Sequence, residues 1–238
     1  MDFQDRVALV TGGTGALGSA VVHDLLTSGA RVTATYTVEA EWQHVLAGAA
    51  DSRARLGGIP VDLTEADEVR AAVQSLHTAY GRLDFLLAIA GGFAAGRIHE
   101  TSEAVWDRML SLNVKTLFSI LRPVVPVMIK QNFGRIITVS SGAIRTSPGA
   151  GIAAYAVSKA AVRHLSEVLA EEVKGYNIRV HCLMPGTLDT EANRRAMPNA
   201  DFFHWVRTAE VAHIIHRLLL DEADSPLIVP IMHSGETQ

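Results

Sequence analysis

Short, continuously apolar runs alternate along the chain with longer stretches in which apolar residues recur at helical spacing. A strand covered on both faces is apolar throughout, whereas a half-exposed strand alternates between apolar and polar residues. The runs therefore predict buried strands. These runs are Val7–Thr11, Val32–Thr35, Phe85–Ile89, Ile136–Ser140, Ile178–Leu183 and Leu227–Ile231, and a weaker candidate precedes Val61.

The stretches between these runs predict helices. They are Leu17–Thr27, Glu65–Tyr80, Glu103–Lys130, Ala154–Val173 and Ala209–Leu220. Thr64, followed by the acidic residues Glu65 and Asp67, is typical of a helix start, because acceptors and acids stabilise the first N–H groups. The alternation of strands and helices predicts an α/β fold, a Rossmann-type doubly wound parallel sheet with helices on both faces. Ligands of such sheets bind at the carboxyl ends of the strands.

Composition narrows the possible functions. Of the 238 residues, 48% are hydrophobic and 19% are charged, which excludes a disordered chain. We expect one dinucleotide-binding catalytic domain over residues 1–238. The net charge of −4 gives no general basic field for nucleic acid. Cys182 is the one cysteine in the sequence, so no internal disulfide can form.

No membrane segment or targeting sequence is expected. The apolar stretch Phe85–Gly96 is interrupted by Arg97 and is shorter than the ~20 residues that cross a bilayer. The N-terminal residues Met1–Asp5 include two acids and lead into a predicted strand, unlike a signal peptide. The expected location is the cytoplasm.

A glycine-rich turn joins the first predicted strand to the first predicted helix. It reads Thr11-Gly12-Gly13-Thr14-Gly15-Ala16-Leu17-Gly18. Glycines allow a sharp turn and the close approach of a pyrophosphate, which the N–H groups and dipole of a helix N-terminus attract. A glycine cluster alone is equally typical of an ordinary tight turn. Its position at the first strand–helix junction favours a dinucleotide site.

Two further stretches are candidates for contacts with a dinucleotide. Ala90-Gly91-Gly92 follows the predicted strand Phe85–Ile89 and offers a second close approach of backbone. Asp62 has two interpretations that the residues alone leave open. It either accepts a hydrogen bond from an adenine amino group or forms part of the helix entry beside Thr64.

The end of the second predicted strand bears on the choice between NAD and NADP. An acid there binds the ribose 2′-hydroxyl of NAD, and a base pairs with the 2′-phosphate of NADP. Tyr36 and Thr37 are neither acidic nor basic, and the hydroxyls of Thr35 and Thr37 can donate to a phosphate. Glu39 lies close enough to oppose one. The prediction is that NADP(H) is favoured over NAD(H).

Tyr155 and Lys159 are four residues apart in a predicted helix and therefore share a face. An ammonium group favours a phenolate, so Lys159 is expected to lower the pKa of Tyr155 and make it an acid and base. Ser141 follows the preceding strand and is placed to hold a substrate oxygen, while Ser140 should point to the opposite face. Asn113 is either an exposed helix residue or a polar bridge, through water, to Lys159.

Together these residues resemble the short-chain dehydrogenase/reductase family, in the family's order, from Val7 to about Ala212. Tyr155-Ala156-Val157-Ser158-Lys159 and Pro185-Gly186-Thr187-Leu188-Asp189-Thr190 carry the resemblance furthest. It implies a catalytic set in which Tyr155 moves the proton, Lys159 lowers its pKa and Ser141 orients a carbonyl. Asn113 would complete a proton relay. The resemblance also implies a homodimer or homotetramer formed through the two long helices. The cofactor-binding residues that it implies are Gly12, Thr14, Gly15, Ala16, Leu17, Tyr36, Thr37, Asp62, Leu63, Ala90, Gly91, Gly92, Tyr155, Lys159, Pro185, Gly186, Leu188 and Thr190.

The chain also departs from the family pattern. Ala16 replaces a glycine, and Ala88-Ile89-Ala90-Gly91 replaces Asn-Asn-Ala-Gly. The turn Gly12–Gly18, the stretch Ala90–Gly96 and the residues from Thr187 to Trp205 are similar instead to the quinonoid dihydropteridine reductases. That branch has an acid at the position of Tyr36 and no counterpart of Ser141.

Three functions are therefore open. The first is an NAD(P)H-dependent reductase of a small carbonyl substrate, the second reduces a quinonoid ring, and the third is a non-catalytic sensor of the nicotinamide redox state. The intact catalytic set argues against a sensor. Residues 189–208 are expected to cover the substrate, with an aromatic cluster that forms either core or a pocket wall. No metal is expected, although the spacing of His213 and His216 suits one.

Overall fold

The computed structural model of the chain describes residues 2–146, 149–220 and 226–232. Every predicted strand lies in one of the observed strands or ends within one residue of it. The weak candidate before Val61 is a true strand. The strands in these ranges are β1 (Val7–Thr11), β2 (Arg31–Tyr36), β3 (Leu56–Pro60), β4 (Phe85–Ala88), β5 (Gly134–Val139), β6 (Ile178–Pro185), β7 (Leu188–Asp189), β8 (Val206–Arg207) and β9 (Ile228–Ile231).

The helices in the same ranges are α1 (Ala16–Thr27), α2 (Glu39–Gly48), α3 (Ala66–Tyr80), α4 (Glu103–Leu110), α5 (Thr116–Gln131), α6 (Ala143–Thr146), α7 (Ala153–Val173), α8 (Glu191–Ala196) and α9 (Thr208–Leu220). A π-helical turn, Ser111–Lys115, joins α4 to α5. The predicted helix Glu103–Lys130 is therefore α-helical on both sides of a π-helical turn. The predicted helix Glu65–Tyr80 begins one residue too early, because Glu65 is the N-cap residue, α3 begins at Ala66, and Thr64 donates its hydroxyl to Asp62. The predicted helices do not include α2.

Seven strands form one parallel sheet in the order β3-β2-β1-β4-β5-β6-β9. The chain leaves β1 towards β2 and β3 on one side, then crosses to β4 and continues outward on the other. That reversal opens a crevice at the carboxyl ends of β1 and β4, where ligands of doubly wound sheets bind. The predicted fold class is therefore confirmed. The short strands β7 and β8 pair with each other outside this sheet.

Each face of the sheet is covered by its own apolar core. On one face, buried residues of α1 and α9 such as Val21 and Ile215 pack with β1 and β4. On the other, buried residues of α3, α5 and α7 such as Val69, Ile120 and Leu169 do the same. Coverage on both faces explains why the strands are continuously apolar.

Within the described ranges, the helical stretch Glu103–Gln131 is long and apolar enough to cross a membrane by length and composition alone. The sequence-based prediction that no membrane segment is present rests on the shorter stretch Phe85–Gly96 and not on Glu103–Gln131. Of its most apolar window, 44% is buried against the rest of the chain. A core helix of a globular fold gives the same pattern.

Candidate active site

Three of the predicted catalytic side chains meet where β5 ends beside the first turns of α7. Ser141 follows β5 by two residues, and its hydroxyl is hydrogen-bonded to the phenol of Tyr155. The Lys159 ammonium lies 5.8 Å from the centroid of the Tyr155 ring and donates to the carbonyl of Val139 at 2.9 Å. Ser141 and Lys159 are each 7% exposed, so the group is largely shielded from solvent.

Burial has the largest effect on the pKa values of Tyr155 and Lys159. It raises the pKa of the Tyr155 phenol, and the hydrogen bond with Ser141 offsets part of the rise. The pKa of Tyr155 is thus raised overall rather than lowered, while the Lys159 ammonium donates to the Val139 carbonyl, and its stabilisation of the phenolate stays a prediction. Burial lowers the pKa of Lys159 to about 8. At neutral pH the site thus combines a protonated phenol with a buried cation.

Ser140 and Ser141 serve different partners, as strand alternation predicts. The Ser140 hydroxyl donates to the backbone carbonyl of Lys159 at 2.8 Å and holds α7 against β5. Ser141 accepts from the N–H of Ala143 at 3.2 Å, which fixes its side chain towards the cleft. Pro185 lies behind this turn, where its carbonyl accepts from the N–H of Gly142 at 2.7 Å.

Asn113 lies in the π-helical turn and is only 2% exposed, so the interpretation as an exposed helix residue is wrong. Its side-chain oxygen accepts from the N–H of Gly92 at 2.9 Å, and its Nδ2 donates to the Gly92 carbonyl at 3.1 Å. Nδ2 also donates to Ser158 at 2.9 Å, and Ser158 donates to the Tyr155 carbonyl at 2.7 Å. Asn113 therefore ties the loop after β4 to α7. A water-mediated bridge to Lys159 stays a prediction.

The loop after β4 approaches both Asn113 and Lys159. A Cβ on Gly91 would lie 2.5 Å from Oδ1 of Asn113 and 3.2 Å from Nζ of Lys159, so glycine is required there. Thr11, at the end of β1, fixes the same loop, because its hydroxyl oxygen accepts the N–H groups of Ile89 at 3.1 Å and Ala90 at 3.2 Å. The sequence-based interpretation missed this role of Thr11.

The glycine turn after β1 is tight enough to hold a pyrophosphate close to the backbone. Gly12 has a φ of +64°, and a Cβ there would lie 2.9 Å from Cα of Ala90. A Cβ on Gly13 would lie 2.6 Å from Cβ of Ala34, and one on Gly18 would collide with the Gly12 carbonyl. Gly12 and Gly13 are required by the close approach of this turn to Ala90 and Ala34, and Gly18 by the packing of α1 against the turn itself.

The outer side of the same turn is open. Gly15 is the N-cap residue of α1, is exposed, and would tolerate a Cβ with its nearest neighbour at 3.4 Å. Ala16 begins α1 and is also exposed, while Leu17 is buried in the core. An exposed helix N-terminus without a capping side chain suits a phosphate. The residues of this turn, among those described, fit a dinucleotide.

The end of β2 differs from the expectation in two side chains. Thr35 is 3% exposed and accepts the N–H of Gly12 at 3.2 Å, so the expectation that it donates to a phosphate is wrong. The Tyr36 ring stacks on Trp42 with centroids 5.3 Å apart and an interplanar angle of 6°. Its hydroxyl is hydrogen-bonded to Glu39, which raises the Tyr36 pKa together with burial and the charge of Glu39.

The predicted adenine contacts lie at the entry to α3. Asp62 Oδ1 accepts from the N–H and hydroxyl of Thr64 at 2.8 and 2.7 Å, and these bonds lower the pKa of Asp62. This is the helix-entry role, and a contact with adenine stays a prediction. Leu63 packs against the apolar core on the sheet face that α3, α5 and α7 cover. Thr37 is exposed just beyond β2.

The segment expected to cover the substrate follows β6. Gly186 donates its N–H to Ile231 at 2.9 Å, which anchors its start to β9. The Thr190 hydroxyl oxygen caps α8 by accepting from the N–H of Asn193 at 3.2 Å, and Asn193 Nδ2 donates to the Leu188 carbonyl at 2.8 Å. Leu188 and Thr190 therefore lie in a folded segment, and their contact with a nicotinamide carboxamide stays a prediction.

The aromatic residues of this segment divide between the two interpretations. Trp205 is 7% exposed and packs against Phe202 at 4.6 Å between centroids, and the guanidinium of Arg194 lies 4.7 Å over Phe202. Trp205 is therefore buried and Phe202 half-buried. Phe203 is 70% exposed and lies edge-on to His204 at 5.4 Å between ring centroids, and its exposure favours the interpretation as a pocket wall.

Phe93 is a site residue that the sequence-based interpretation did not select. Its ring meets the Tyr155 ring edge-on, with centroids 4.9 Å apart and planes at 68°, yet Phe93 is 62% exposed. The loop that carries it is anchored by Gly96, which donates to the Gly151 carbonyl at 2.7 Å and accepts the Ala153 N–H at 3.0 Å. The second bond caps the N-terminus of α7. The signal was an aromatic residue directly after Gly91-Gly92.

Of the two histidines whose spacing suits a metal, His216 is bonded to carboxylates. His216 is hydrogen-bonded through Nδ1 to Asp24 at 2.8 Å and through Nε2 to Asp2 at 3.0 Å. Burial lowers the pKa of His216, but the bonds to the two carboxylates outweigh it and the pKa is raised. In the part of the chain that the structure describes, no three His, Cys, Asp or Glu side chains are grouped to hold a metal.

Sequence comparison gives relatives over almost the whole chain. The 3-oxoacyl-(acyl-carrier-protein) reductase FabG of Thermotoga maritima is 29% identical over 231 residues, covering 94% of this chain and 94% of the relative. The acetoacetyl-CoA reductase of Acinetobacter sp. is 33% identical over 189 residues, covering 77% of this chain and 74% of the relative.

Solved structures with the same architecture include enzymes with either dinucleotide bound. NAD⁺-bound xylitol dehydrogenase has a TM-score of 0.88 and 25% identity, covering 98% of this chain and 100% of its own. A metagenomic short-chain oxidoreductase in complex with NADP has a TM-score of 0.80 and 27% identity, covering 97% of each chain. The family model for short chain dehydrogenases matches residues 6–201. The chain therefore belongs to the short-chain dehydrogenase family and is an oxidoreductase that uses a nicotinamide cofactor.

Proposed function

We propose that the protein reduces a small ketone to a secondary alcohol with a reduced nicotinamide dinucleotide. One observation carries the proposal: the hydrogen-bonded hydroxyls of Ser141 and Tyr155 lie beside the buried cation of Lys159. They lie at the end of the sheet where the glycine turn after β1 fits a dinucleotide. A carbonyl reduction needs a donor for the oxygen, a proton source and a positive charge near the phenolate, and these three groups supply them.

The glycine turn after β1 would hold a reduced dinucleotide, whose nicotinamide would supply a hydride, with its electron pair, to the carbonyl carbon. Ser141 donates a hydrogen bond to the carbonyl oxygen, where negative charge develops. Tyr155 transfers its phenolic proton to the same oxygen, which completes the alcohol and leaves a phenolate. The Lys159 ammonium stabilises that phenolate. Asn113 keeps α7 aligned with the loop after β4 through its bonds to Gly92 and Ser158.

The body of the substrate is proposed to be apolar. The exposed Phe93 ring forms a wall directly beside the Tyr155 phenol. Aromatic walls with few polar groups are typical of pockets for apolar or planar ligands. The same wall supports a second candidate function, reduction of a quinonoid dihydropterin, since such a ring is planar. The relatives named above are reductases of 3-oxoacyl and acetoacetyl thioesters, which places ketones of this kind among the substrates to test.

The cofactor preference rests on few residues. Tyr36 and Thr37 supply no carboxylate at the end of β2, which is the basis of the sequence-based expectation that NADP(H) is favoured. The carboxylate of Glu41 in the first turn of α2 opposes that expectation. Titration with both dinucleotides tests the preference directly.

We also propose a cytoplasmic homodimer or homotetramer. Phe118 on α5 and Val157 and Val168 on α7 are 51%, 47% and 40% exposed. Apolar side chains on long helices are buried when such helices pair between subunits. Light scattering of the purified protein measures the mass, and a monomer at micromolar concentration contradicts the proposal.

The function is tested by following NADH and NADPH oxidation against ketones, 3-oxoacyl thioesters, diketones and quinonoid dihydropterin. We expect turnover of at least one ketone and its loss in the Tyr155→Phe variant. Turnover of dihydropterin alone, unaffected by Ser141→Ala, assigns the second candidate function. Tight cofactor binding without turnover of any substrate contradicts both and favours a redox sensor.

A further inference from the structure

Two carboxylates in the first turn of α2 have different partners. Glu41 Oε2 accepts the hydroxyl proton of Thr14 at 2.9 Å, across the gap between α2 and the glycine turn after β1. Glu39 Oε1 accepts from Gln43 Nε2 at 2.6 Å, and Glu39 is also bonded to the Tyr36 hydroxyl. Glu41 therefore faces the glycine turn, whereas Glu39 is occupied by its own helix and by the end of β2.

Trp42 fixes the position of Glu41. It follows Glu41 directly, is 7% exposed, and stacks on the Tyr36 ring. Gly58 in β3 makes room for its indole, because a Cβ on Gly58 would collide with the ring. The start of α2 is thus docked on β2 and β3, and the carboxylate of Glu41 is held at Thr14 by packing as well as by its hydrogen bond.

The bond between Glu41 and Thr14 places a negative charge at the ribose side of the dinucleotide site. Thr14 belongs to the turn that fits the pyrophosphate, and the end of β2 lies beside that turn because β1 and β2 are paired in register. The adenosine ribose follows the pyrophosphate in a dinucleotide. It must therefore pass between the glycine turn and the end of β2, next to Glu41.

We infer that Glu41 selects NAD(H) against NADP(H), an inference that rests on the proposed use of a nicotinamide dinucleotide at this site. A 2′-phosphate carries a charge of about −1.5 to −2 at neutral pH and is repelled by a carboxylate. A ribose hydroxyl instead donates to that carboxylate in a charge-assisted hydrogen bond. The inference reverses the NADP(H) preference expected from Tyr36 and Thr37.

The test measures dissociation constants of NADH and NADPH by fluorescence titration, without substrate. We expect the wild type to bind NADH at least about tenfold more tightly than NADPH. The repulsion between the Glu41 carboxylate and a 2′-phosphate several Å away is large enough for this difference even in water. Glu41→Gln should reduce the ratio to about threefold or less, mainly by tightening NADPH. Glu41→Lys should invert it. Added salt should reduce the wild-type ratio, because it screens exposed charges.

Glu39→Gln is the matched control, since it removes the same charge from the same helical turn. It should leave the ratio unchanged. Equal affinities in the wild type, or a ratio that Glu39→Gln abolishes and Glu41→Gln does not, overturn the inference. Equal affinities together with ketone turnover overturn only the inference. Failure of both dinucleotides to bind overturns the proposed function and the inference with it.

Discussion

The two ends of the dinucleotide site are built differently. At the catalytic end, Asn113 and Ser141 are buried and bonded to backbone groups of the surrounding loops and helices. At the ribose end, Glu39 and Glu41 are exposed on one helix that is docked chiefly through Trp42. A change at the first end alters groups on which the packing depends, whereas a change at the second alters an exposed charge. We therefore expect chemistry and cofactor selectivity to be separable by mutation.

The largest separation is expected for Tyr155→Phe. The variant loses the proton donor but keeps the ring that contacts Phe93, so kcat for ketone reduction should fall at least about 10²-fold. The dissociation constants of NADH and NADPH should change little. Stopped-flow turnover and fluorescence titration measure the two quantities on the same preparation. A variant with unimpaired kcat removes Tyr155 from the mechanism, and one with equally weakened cofactor binding breaks the separation.

The next effect is expected for Ser141→Ala. A hydroxyl that stabilises charge on a ketone oxygen contributes most in the transition state, so kcat/KM should fall about 10²-fold, or roughly 2.7 kcal/mol. Ser140→Ala is the neighbouring comparison and should lower kcat/KM much less. Because Ser140 donates to the Lys159 carbonyl, its loss should appear instead in the melting temperature. Equal kcat/KM for Ser141→Ala and the wild type contradicts a role for Ser141.

The pH dependence separates the two ends in another way. Burial lowers the pKa of Lys159 to about 8, so its ammonium is present below that pH and is lost above it. Reduction should therefore lose kcat/KM above pH 8, approaching a tenfold fall per pH unit. The pKa of Tyr155 is raised, so this limb reports Lys159. Lys159→Arg should remove the limb, because a guanidinium stays charged. The ratio of NADH to NADPH affinities should not follow it, and a ratio that does contradicts the separation.

The same contrast explains what could be predicted from the sequence. Tyr155 and Lys159 are four residues apart in a long predicted helix, and Ser141 follows a strongly apolar strand. These patterns in the sequence are enough to predict that the three side chains lie close together. Their protonation could not be predicted, because it depends on burial and on the Val139 carbonyl. The π-helical turn around Asn113 has no signature in the hydrophobic pattern, and its partner Ser158 is recognised only in three dimensions.

At the ribose end the sequence did not predict α2, because this helix is weakly patterned. Trp42 and Val45 are its buried residues, which is too few to show a helical repeat, and its N-cap position is Val38 rather than a capping residue. Without the helix, Glu39 and Glu41 appear as loop residues of unknown direction. The predicted cofactor preference then rested on the residues at the strand end, Thr35, Tyr36 and Thr37, with Glu39 weighed against it without a known direction. The hydrogen bond between Thr14 and Glu41, which are far apart in the sequence, shows that the Glu41 side chain points towards the glycine turn.

The smallest predicted effect concerns the hydroxyl that holds Glu41. Thr14→Val keeps the β-branched shape but removes the donor, so the carboxylate keeps its charge and loses its fixed position. An exposed hydrogen bond contributes about 0.5–1.5 kcal/mol, so at the low end of that range the NADH-to-NADPH affinity ratio should fall roughly twofold, less than in Glu41→Gln. In the double variant Thr14→Val/Glu41→Gln the ratio should equal that of Glu41→Gln alone, because the hydroxyl acts through the carboxylate. Additive losses in this cycle, measured by the same titrations, show instead that Thr14 contacts the dinucleotide independently of Glu41.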